Sequence, residues 1–454
     1  MKIRFTVNGQ SRTVETRPLA RLLDLIRGSL ALKGCKEGCG EGECGVCSII
    51  MNGRLVNACL IPAMQASGAE LLTIEGLGSE ADPDTLQQAF IDEGAVHCGF
   101  CTPGMVLAAR SMLEAMPRPA LMDIRVALSG NLCRCTGYAR IYEAVNKAVR
   151  DGYRPARSGP GAWEKPEYSS EERERFFSPS TLDEALAILT RHPGITVLSG
   201  GTDTGPDMKS GRLKPKGAMD VFHLPELHAL ERRDGVIRIG ACVTDTELME
   251  NSQVRELLPA LHQAASLCAA PAIRNRATIG GNLCTASGAA DLPVALMALG
   301  ASVCVKSTGG ERVMQAHEFI KGYRQPDLKP GELLTEIRVP VPPRHAVQRF
   351  FKRGSRAALT LSRVALGFYV ELEQNRITEC RASAGSMSPV PVRLPHLEEA
   401  LKGKALSPET VAMAVQTIRN ELTPRKSPAY RKAIAGNLIR RFLESLPGAE
   451  PDQR

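Results

Sequence analysis

The chain has 454 residues, 43% hydrophobic and 23% charged, a composition typical of a soluble globular protein with several domains. The net charge is +8, but the 57 basic and 49 acidic residues are interspersed, and no basic stripe with interleaved aromatic residues indicates nucleic-acid binding. The first residues contain no signal-peptide core, and the longest apolar stretch, Leu292 to Val305, is too short for a membrane span. That stretch predicts a buried helix followed by a strand, and we expect a cytoplasmic protein.

Residues 1–78 are predicted to form a small β-rich domain, because apolar and polar residues alternate and Asn-Gly pairs mark hairpin turns. A cysteine- and glycine-rich loop separates its two halves. The predicted elements are a strand at Ile3–Val7, a turn at Asn8-Gly9, a helix at Leu19–Leu30, and a second hairpin of Ser48–Met51 and Leu55–Leu60.

Residues 79–152 are predicted to be helical, with cysteine pairs in the loops between helices. Residues 153–175 read as a polar linker, where we place the main domain boundary. Residues 176–345 alternate strand and helix patterns, and residues 346–447 form a last segment. The predicted helices are Asp84–Glu93, Pro103–Ala115, Met122–Leu128, Tyr138–Arg150 and Tyr430–Leu446, and the predicted strands are Ile195–Leu198, Ile237–Ala241 and Ile377–Ala384.

The 14 cysteines are unevenly distributed, since nine of them lie between Cys35 and Cys135. A secreted disulfide scaffold would be short and evenly studded with cysteine. Clustered cysteines in a long chain indicate instead a metal site in a reducing compartment.

The first cysteine set has the spacing C-x4-C-x2-C, with a fourth cysteine after eleven further residues: Cys39, Cys44, Cys47 and Cys59. This is the plant-type [2Fe–2S] spacing, and its glycines allow backbone N–H groups to face the sulfur atoms. Zinc is the alternative, although it prefers paired C-x2–4-C knuckles. Cys35 lies outside the spacing and is treated as a bystander. Residues 40–45 also match G-x-G-x-x-G, but without the strand and helix that a dinucleotide site needs.

The second set joins a C-x2-C at a predicted helix start with a C-x-C in a glycine-flanked loop: Cys98, Cys101, Cys133 and Cys135. Helix N-termini stabilise thiolate charge. Spacing alone leaves zinc and a redox disulfide open, and the neighbouring plant-type loop favours a second [2Fe–2S] cluster.

Two glycine-rich stretches are candidates for binding a phosphate-containing cofactor. The first follows a predicted strand, and its backbone N–H groups suit a pyrophosphate, with an ordinary strand-to-helix turn as the alternative. The second offers close backbone approach and several hydroxyl groups. The first consists of Leu198, Ser199, Gly200, Gly201, Thr202, Asp203 and Thr204, and the second contains Thr278, Gly280, Gly281, Asn282, Thr285 and Ser287, with Asp291 beyond it as a candidate acceptor for the ribose or adenine end of a cofactor.

The stretches GCGEGECGVC, NACL, HCGFCTPGM and GNLCRCTGY resemble the two cluster motifs of the xanthine oxidase family of molybdenum hydroxylases. The chain is similar over its length to the small iron–sulfur/FAD subunits of bacterial xanthine dehydrogenases. The resemblance implies an α+β multidomain fold. Its parts are a β-grasp [2Fe–2S] ferredoxin domain (1–78), a helical [2Fe–2S] domain (79–152), an α+β FAD-binding domain (176–345) and a C-terminal α/β cap domain (346–447).

The resemblance also implies that both glycine-rich stretches bind FAD and that Leu333, Leu334 and Lys352 flank it. Lys352 would stabilise the reduced flavin, unless it is a surface lysine. The implied function is electron transfer from a molybdopterin cofactor on a large partner subunit, in an α2β2 assembly. Electrons pass through the second cysteine set, then the first, to FAD and on to NAD or another acceptor. The implied activity is xanthine dehydrogenase, in purine catabolism.

Two departures from the family pattern limit these expectations. His97 stands where many xanthine-oxidising members have a glutamine that contacts molybdopterin, with a structural core histidine as the alternative. Residues 357–360, Ala-Ala-Leu-Thr, replace the acidic residues that nicotinamide-using members tend to carry. Tyr323 resembles a residue near the nicotinamide site. NAD is therefore one expected acceptor beside oxygen, a quinone or a carrier protein.

Three alternatives remain at this point. The first is the equivalent subunit of another molybdenum hydroxylase, acting on carbon monoxide, an aldehyde, nicotinate, quinoline or an aromatic CoA ester. The second is a stand-alone iron–sulfur flavoprotein reductase or ferredoxin-type carrier. The third is a zinc-binding interaction protein.

Overall fold

The computed structural model describes residues 1–156, 159–356 and 358–447, and these divide into two compact units. The first unit contains Met1–Ser180, Ile195–His223 and Ala269–Ala277. The second contains Thr181–Gly194, Leu224–Cys268 and the described residues from Thr278 onward. Both units mix helices and strands, as the α+β expectation requires. Ala357, one of the positions in the predicted acceptor segment, lies outside the described residues.

A five-stranded sheet begins the first unit, with strand order β2-β1-β5-β3-β4. Strands β1 and β5 are parallel, and the other pairs are antiparallel. Ile3, Phe5 and Val7 point to one buried face, where Leu22 and Ile26 of the helix pack. The elements are β1 (Lys2–Val7), β2 (Gln10–Glu15), α1 (Leu22–Arg27), β3 (Ser48–Met51), β4 (Arg54–Asn57) and β5 (Glu70–Leu72).

Both predicted hairpins are confirmed, with positive φ at Asn8 and Gly9 in the first turn. The second hairpin is shorter than predicted, because β4 ends at Asn57 and a 3-10 turn over Ala58–Leu60 follows. That turn carries Cys59 and interrupts the predicted strand. The predicted helix at 19–30 is also shorter, since Gly28 ends it.

Four helices complete the N-terminal part of the first unit, and all four were predicted to within two residues. Asp84 caps the first by accepting from the Leu86 N–H at 2.9 Å, and Pro103 occupies the first turn of the second. The helices are α2 (Thr85–Asp92), α3 (Thr102–Ala115), α4 (Leu121–Ala127) and α5 (Tyr138–Arg150).

The remaining elements follow in chain order. Those from residue 176 to residue 298 are β6 (Phe176–Phe177), α6 (Leu182–Arg191), β7 (Thr196–Leu198), α7 (Thr204–Lys209), β8 (Ala218–Asp220), β9 (Leu230–Arg233), β10 (Val236–Gly240), α8 (Asp245–Glu250), α9 (Ser252–Leu257), α10 (Pro259–Leu267), α11 (Pro271–Arg274), α12 (Ile279–Thr285) and α13 (Leu292–Ala298). Those beyond are β11 (Ser302–Ser307), β12 (Gly310–Gln315), α14 (Ala316–Phe319), β13 (Ile320–Gly322), β14 (Gln325–Pro326), β15 (Leu333–Pro340), β16 (Val347–Arg353), β17 (Val364–Glu373), β18 (Arg376–Gly385), β19 (Val392–Arg393), α15 (Pro395–Leu401), α16 (Pro408–Glu421) and α17 (Pro428–Glu444).

The first unit also holds a parallel three-stranded sheet, β6-β8-β7. The second unit contains a five-stranded sheet, β12-β11-β15-β10-β9, and a four-stranded sheet, β16-β17-β18-β19, whose core includes α15, α16 and α17. The predicted buried helix and strand between Leu292 and Val305 are confirmed as α13 and β11. Among the described residues, no helix combines the length and the apolarity that crossing a bilayer requires.

Candidate cofactor sites

The cysteines of the first set lie on the loop between α1 and β3 and on the 3-10 turn after β4. Its thiols lie in two contacting pairs, Cys39 with Cys44 and Cys47 with Cys59. The backbone N–H of Cys39 donates to the Cys44 sulfur at 3.3 Å, and those of Glu41 and Glu43 donate to the Cys39 sulfur at 3.4 and 3.3 Å. Four thiols in two pairs, with N–H groups facing sulfur, fit a [2Fe–2S] cluster.

Each pair contains one thiol that ionises more readily than its partner. Contact with Cys44, and then the backbone N–H groups, holds the pKa of Cys39 below its ordinary value. Contact with Cys47 likewise lowers the pKa of Cys59. Burial raises the pKa of the nearby Cys35 thiol to about 12, and this thiol donates to the Cys47 carbonyl at 3.5 Å. Cys35 therefore hydrogen-bonds to the backbone and belongs to neither contacting thiol pair.

The second cysteine set lies where α3 and α5 begin. Cys101 directly precedes α3, and Cys133 and Cys135 lie in the loop before α5. The sulfur atoms of Cys98 and Cys135 are 3.5 Å apart and exposed, whereas Cys101 contacts the buried Cys133. The structure therefore brings together the four predicted cysteines as one exposed pair and one inner pair. Within the described residues, no group of three or more His, Cys, Asp or Glu side chains surrounds a single metal-ion position.

The loops that carry the two cysteine sets are hydrogen-bonded to each other. The Leu132 N–H, next to Cys133, donates to the Cys44 carbonyl at 2.9 Å. The buried Asn131 amide donates to the Gly45 carbonyl at 2.8 Å. A Cβ on Gly45 would lie 2.4 Å from the Gly130 carbonyl oxygen, so the loops meet backbone to backbone.

The first glycine-rich stretch joins β7 to α7 in the first unit. Leu198 is fully buried at the end of the strand, and Gly201 has a φ of 81°. Gln65 donates to the Ser199 carbonyl at 2.8 Å, and Arg276 donates to the Gly200 carbonyl at 3.2 Å. The Thr204 hydroxyl is buried without a hydrogen-bond partner in the described structure. An orphaned hydroxyl at the end of a glycine turn fits a polar ligand such as a phosphate.

The second glycine-rich stretch forms α12 in the second unit, and several of its predicted ligand groups bond within the chain. The Thr278 hydroxyl accepts from the Gly281 N–H at 3.1 Å, and the Thr285 hydroxyl donates to the Gly281 carbonyl at 3.0 Å. The Ser287 hydroxyl accepts from the Ala289 N–H at 3.3 Å. The Asn282 side-chain oxygen is buried without a partner in the described structure, which fits a ligand donor there.

Gly280 is required by packing inside the protein. A Cβ on Gly280 would lie 2.6 Å from the carbonyl oxygen of Ala241, the residue that follows β10. A larger residue at position 280 would therefore push α12 away from the end of β10. Helix α12 also packs against β15, where Leu333 and Leu334 are buried and Leu334 belongs to the apolar core.

The side chain of Lys352 is buried, and the surface alternative is wrong. Its ammonium group donates to Asp291 at 2.6 Å and to the Leu267 carbonyl at 2.9 Å, and its side chain is 7% exposed. The second oxygen of Asp291 accepts from the Ser362 hydroxyl at 2.6 Å. Burial raises the pKa of Asp291, while Lys352 and Ser362 act in the opposite direction. Asp291 and Lys352, which were both predicted to contact the cofactor, therefore form an ion pair with each other.

His97 and Tyr323 lie at the surface. His97 is exposed beside Gly137, at the start of α5, so a buried structural histidine is excluded. Tyr323 is 59% exposed in the turn between β13 and β14. The neighbouring Arg324 N–H donates to the Ala286 carbonyl at 3.1 Å, which fixes this turn beside the end of α12.

Comparison with known protein families matches three regions of the chain. Residues 73–146 match a [2Fe-2S] binding domain, residues 170–342 match the FAD binding domain in molybdopterin dehydrogenase, and residues 349–446 match the CO dehydrogenase flavoprotein C-terminal domain.

Individual relatives extend the likeness. A xanthine dehydrogenase from Emericella nidulans is 26% identical over 98% of this chain, which spans only 38% of that relative's length. The nicotinate dehydrogenase small FeS subunit of Eubacterium barkeri is 49% identical over 32% of this chain and 94% of the relative. Among solved structures, a carbon monoxide dehydrogenase chain from Hydrogenophaga pseudoflava aligns with a TM-score of 0.57 at 26% identity, over 60% of this chain and 96% of that one. A quinoline 2-oxidoreductase chain from Pseudomonas putida aligns with a TM-score of 0.56 at 25% identity, over 60% of this chain and 96% of that one.

The chain therefore belongs to the molybdenum hydroxylase family, in which it corresponds to the electron-transferring iron–sulfur and flavin part. Its cofactors are [2Fe–2S] clusters and FAD.

Proposed function

We infer that this chain passes electrons between a molybdopterin-containing partner and an external acceptor, in an enzyme of the xanthine dehydrogenase type. One observation carries the inference: the loops of the two cysteine sets are hydrogen-bonded to each other between Leu132 and Cys44. Such a contact gives electrons a short covalent and hydrogen-bonded path. When bound, the clusters exchange single electrons and the flavin exchanges one or two, which connects one-electron transfer to hydride transfer.

The proposed work of the polypeptide is to hold these cofactors. Each cysteine set supplies four thiolates to one [2Fe–2S] cluster. The stretch from Leu198 to Thr204 is proposed to bind FAD through its backbone N–H groups. The other proposed FAD contacts are the predicted residues between Thr278 and Asp291, together with Leu333, Leu334 and Lys352. The buried ammonium group of Lys352 supplies positive charge for the reduced flavin.

We also propose the finer description of the fold. The five-stranded sheet with α1 supports a β-grasp ferredoxin domain for residues 1–78. Helices α2 to α5 support a helical [2Fe–2S] domain for residues 79–152, with 153–175 as linker. The FAD-binding domain is assigned to residues 176–345 and the α/β cap domain to residues 346–447.

The partner is proposed to be a large molybdopterin-binding subunit, in an α2β2 assembly. Exposed apolar side chains around the second cysteine set support this partner. Eight of the thirteen large apolar side chains that are exposed in the described structure fall between residues 91 and 132: Ile91, Val96, Phe100, Met116, Leu121, Met122, Val126 and Leu132. The exposed pair Cys98 and Cys135 lies in the same segment.

A charged substitution in this segment tests the partner. Met122, which is 63% exposed, is replaced by Glu, and Val313, which is 47% exposed on β12, is replaced by Glu as the control. We expect Met122→Glu to lower the molybdenum that co-purifies with the chain and Val313→Glu to leave it unchanged. Equal molybdenum in both variants would contradict the proposed surface.

The substrate class is proposed as hypoxanthine and xanthine, with NAD as acceptor, in purine catabolism. The match to a xanthine dehydrogenase over 98% of the chain supports this choice. The cytoplasm is the proposed location, because none of the 14 cysteines forms a disulfide bond.

The test of the function is anaerobic reduction of the purified assembly. Xanthine is expected to bleach the flavin and to produce two distinct [2Fe–2S] signals in electron paramagnetic resonance, and NAD is expected to reoxidise both. Nicotinate, quinoline and carbon monoxide are the comparison substrates. Reduction by one of these alone would move the chain to that type of molybdenum hydroxylase, and no reduction of the clusters by any substrate would refute electron transfer.

A further inference from the structure

A buried polar network lies behind the first glycine-rich stretch, within the first unit. Its members are Gln65, Asp220 and Arg276, which are 6%, 1% and 5% exposed. The Gln65 amide nitrogen donates to Asp220 at 2.7 Å and to the Ser199 carbonyl at 2.8 Å. Arg276 donates to the Gln65 amide oxygen at 2.5 Å and to the Gly200 carbonyl at 3.2 Å. We call this network the Gln65–Arg276 brace.

Charge fixes the orientation of the brace. A carboxylate only accepts hydrogen bonds and a guanidinium only donates them, so the Gln65 amide must turn its nitrogen to Asp220 and its oxygen to Arg276. The Arg276 guanidinium also lies over the Phe222 ring, 3.7 Å from its centroid. Because a buried charge that loses its partner is costly, the brace favours one arrangement strongly.

That arrangement determines which way the loop presents its backbone. In a trans peptide, the C=O of one residue and the N–H of the next point in opposite directions. The brace binds the carbonyls of Ser199 and Gly200, so the N–H groups of Gly200 and Gly201 point away from it. Successive N–H groups on one side of a turn form an anion site. A Cβ on Gly200 would lie 1.7 Å from the Arg276 carbonyl oxygen, so the loop also lies against the backbone of the brace.

We propose that Gln65 and Arg276 are positioning residues for the diphosphate of FAD. They act through the Ser199 and Gly200 carbonyls and hold the neighbouring N–H groups outward before the cofactor binds. The free energy of ordering the loop is then spent during folding and not during binding. This inference rests on the proposed function, because it takes FAD as the ligand.

The test measures FAD binding to the full-length chain after its flavin has been removed. Arg276→Met removes the donor to both Gln65 and Gly200, Arg276→Lys keeps the charge, and Gln65→Asn shortens the amide by one methylene. Arg110→Met is the control, since Arg110 is another arginine of this unit, 6% exposed, that pairs with Glu114 at 3.0 Å and donates to the Ala156 carbonyl at 2.7 Å. The readouts are the dissociation constants of FAD and ADP, the iron content and the thermal midpoint.

We expect Arg276→Met and Gln65→Asn to raise the FAD dissociation constant by about tenfold, the effect of one lost charge-assisted hydrogen bond. The ADP constant should rise by the same factor, iron content should stay constant, and Arg276→Lys should recover part of the affinity. Arg110→Met should lower the thermal midpoint without changing FAD affinity.

Two results would overturn the proposal. One is unchanged FAD affinity in Gln65→Asn and in whichever Arg276 variants fold. The other is an equal loss of affinity in Arg110→Met, which would make the effect one of general stability. Failure of the proposed function appears separately, as a wild-type chain that does not bind FAD at all.

Discussion

At the scale of single residues, burial decides roles that the sequence leaves open. Lys352 matched a family motif but also fitted a surface lysine, and the structure places it in a buried ion pair with Asp291. Thr278 was predicted to offer its hydroxyl to a cofactor, and that hydroxyl accepts the Gly281 N–H at the start of α12. A hydroxyl can serve either use, and only the backbone conformation around it distinguishes them.

Cysteine substitutions test the ligand assignment at this scale. Cys47 and Cys35 are both buried and lie near each other, but only Cys47 pairs with a second thiol of the set. We expect Cys47→Ser to lose one cluster, which is about two iron atoms and two sulfides per chain, and Cys35→Ser to keep the full complement. Iron and labile-sulfide analysis measures both. Loss of iron in Cys35→Ser with a full count in Cys47→Ser would exchange the roles of the two residues.

At the scale of elements, local patterns predict what local physics decides. The loop with Cys39, Cys44 and Cys47 could be predicted as a cluster site because these three cysteines are close in sequence. Helices α2 to α5 could be predicted from the periodicity of their apolar residues. The Gln65–Arg276 brace carried no such signal, since its members are 211 positions apart. The predicted strand at 55–60 was too long, because apolar residues continue through the turn that carries Cys59.

Ala substitutions at two glycines with similar φ angles distinguish the effect of backbone strain from the effect of a clash between the two cysteine loops. Gly45 has a φ of 67° and Gly9 a φ of 76°, but a Cβ on Gly45 would meet the loop of the second cysteine set, whereas nothing lies within 4 Å of a Cβ on Gly9. Substitution by Ala should cost each about 1–2 kcal/mol of backbone strain. Gly45→Ala should also force the two loops apart and lower the iron content.

Thermal unfolding and iron analysis of the two glycine variants check this expectation. Gly9→Ala is expected to lower the thermal midpoint while keeping full iron. If Gly45→Ala also kept full iron, the contact between the loops would not matter for cluster assembly.

A partly buried ion pair beside β15 predicts a pH-dependent stability. Glu332 directly precedes that strand, accepts from Arg312 at 2.8 and 2.7 Å and from the Lys329 N–H at 2.7 Å, and is 11% exposed. These contacts, led by Arg312, hold the pKa of Glu332 below its ordinary value. A depressed carboxyl pKa contributes stability above the unfolded-state value of about 4.3, and this contribution is lost as the pH falls through the folded-state pKa.

The variant Glu332→Gln tests that contribution. We expect it to lower stability at pH 7 by about 1 kcal/mol, the order expected for a partly buried charged pair with good geometry. The difference from wild type should shrink when thermal unfolding is repeated at progressively lower pH. A deficit that stays constant on acidification would show that the charge of Glu332 is not its cause.

At the scale of the whole molecule, the two units carry different parts of the proposed function. All eight predicted cluster ligands and the first glycine-rich stretch belong to the first unit, whereas α12, Asp291 and Lys352 belong to the second. The first unit is built from three separate segments of the chain. Such a division depends on contacts between distant segments, and composition or local periodicity does not reveal it. The linear domain boundaries at residues 78, 152, 175 and 345 therefore stay predictions.

The most direct test of the account is a count of cofactors on the natively purified protein, prepared without oxygen. For each copy of this chain we predict about four iron atoms, about four labile sulfides and one FAD, with molybdenum on a co-purifying large subunit. Zinc in place of iron and sulfide, or a chain without flavin, would contradict the central claim that this protein transfers electrons through two [2Fe–2S] clusters and FAD.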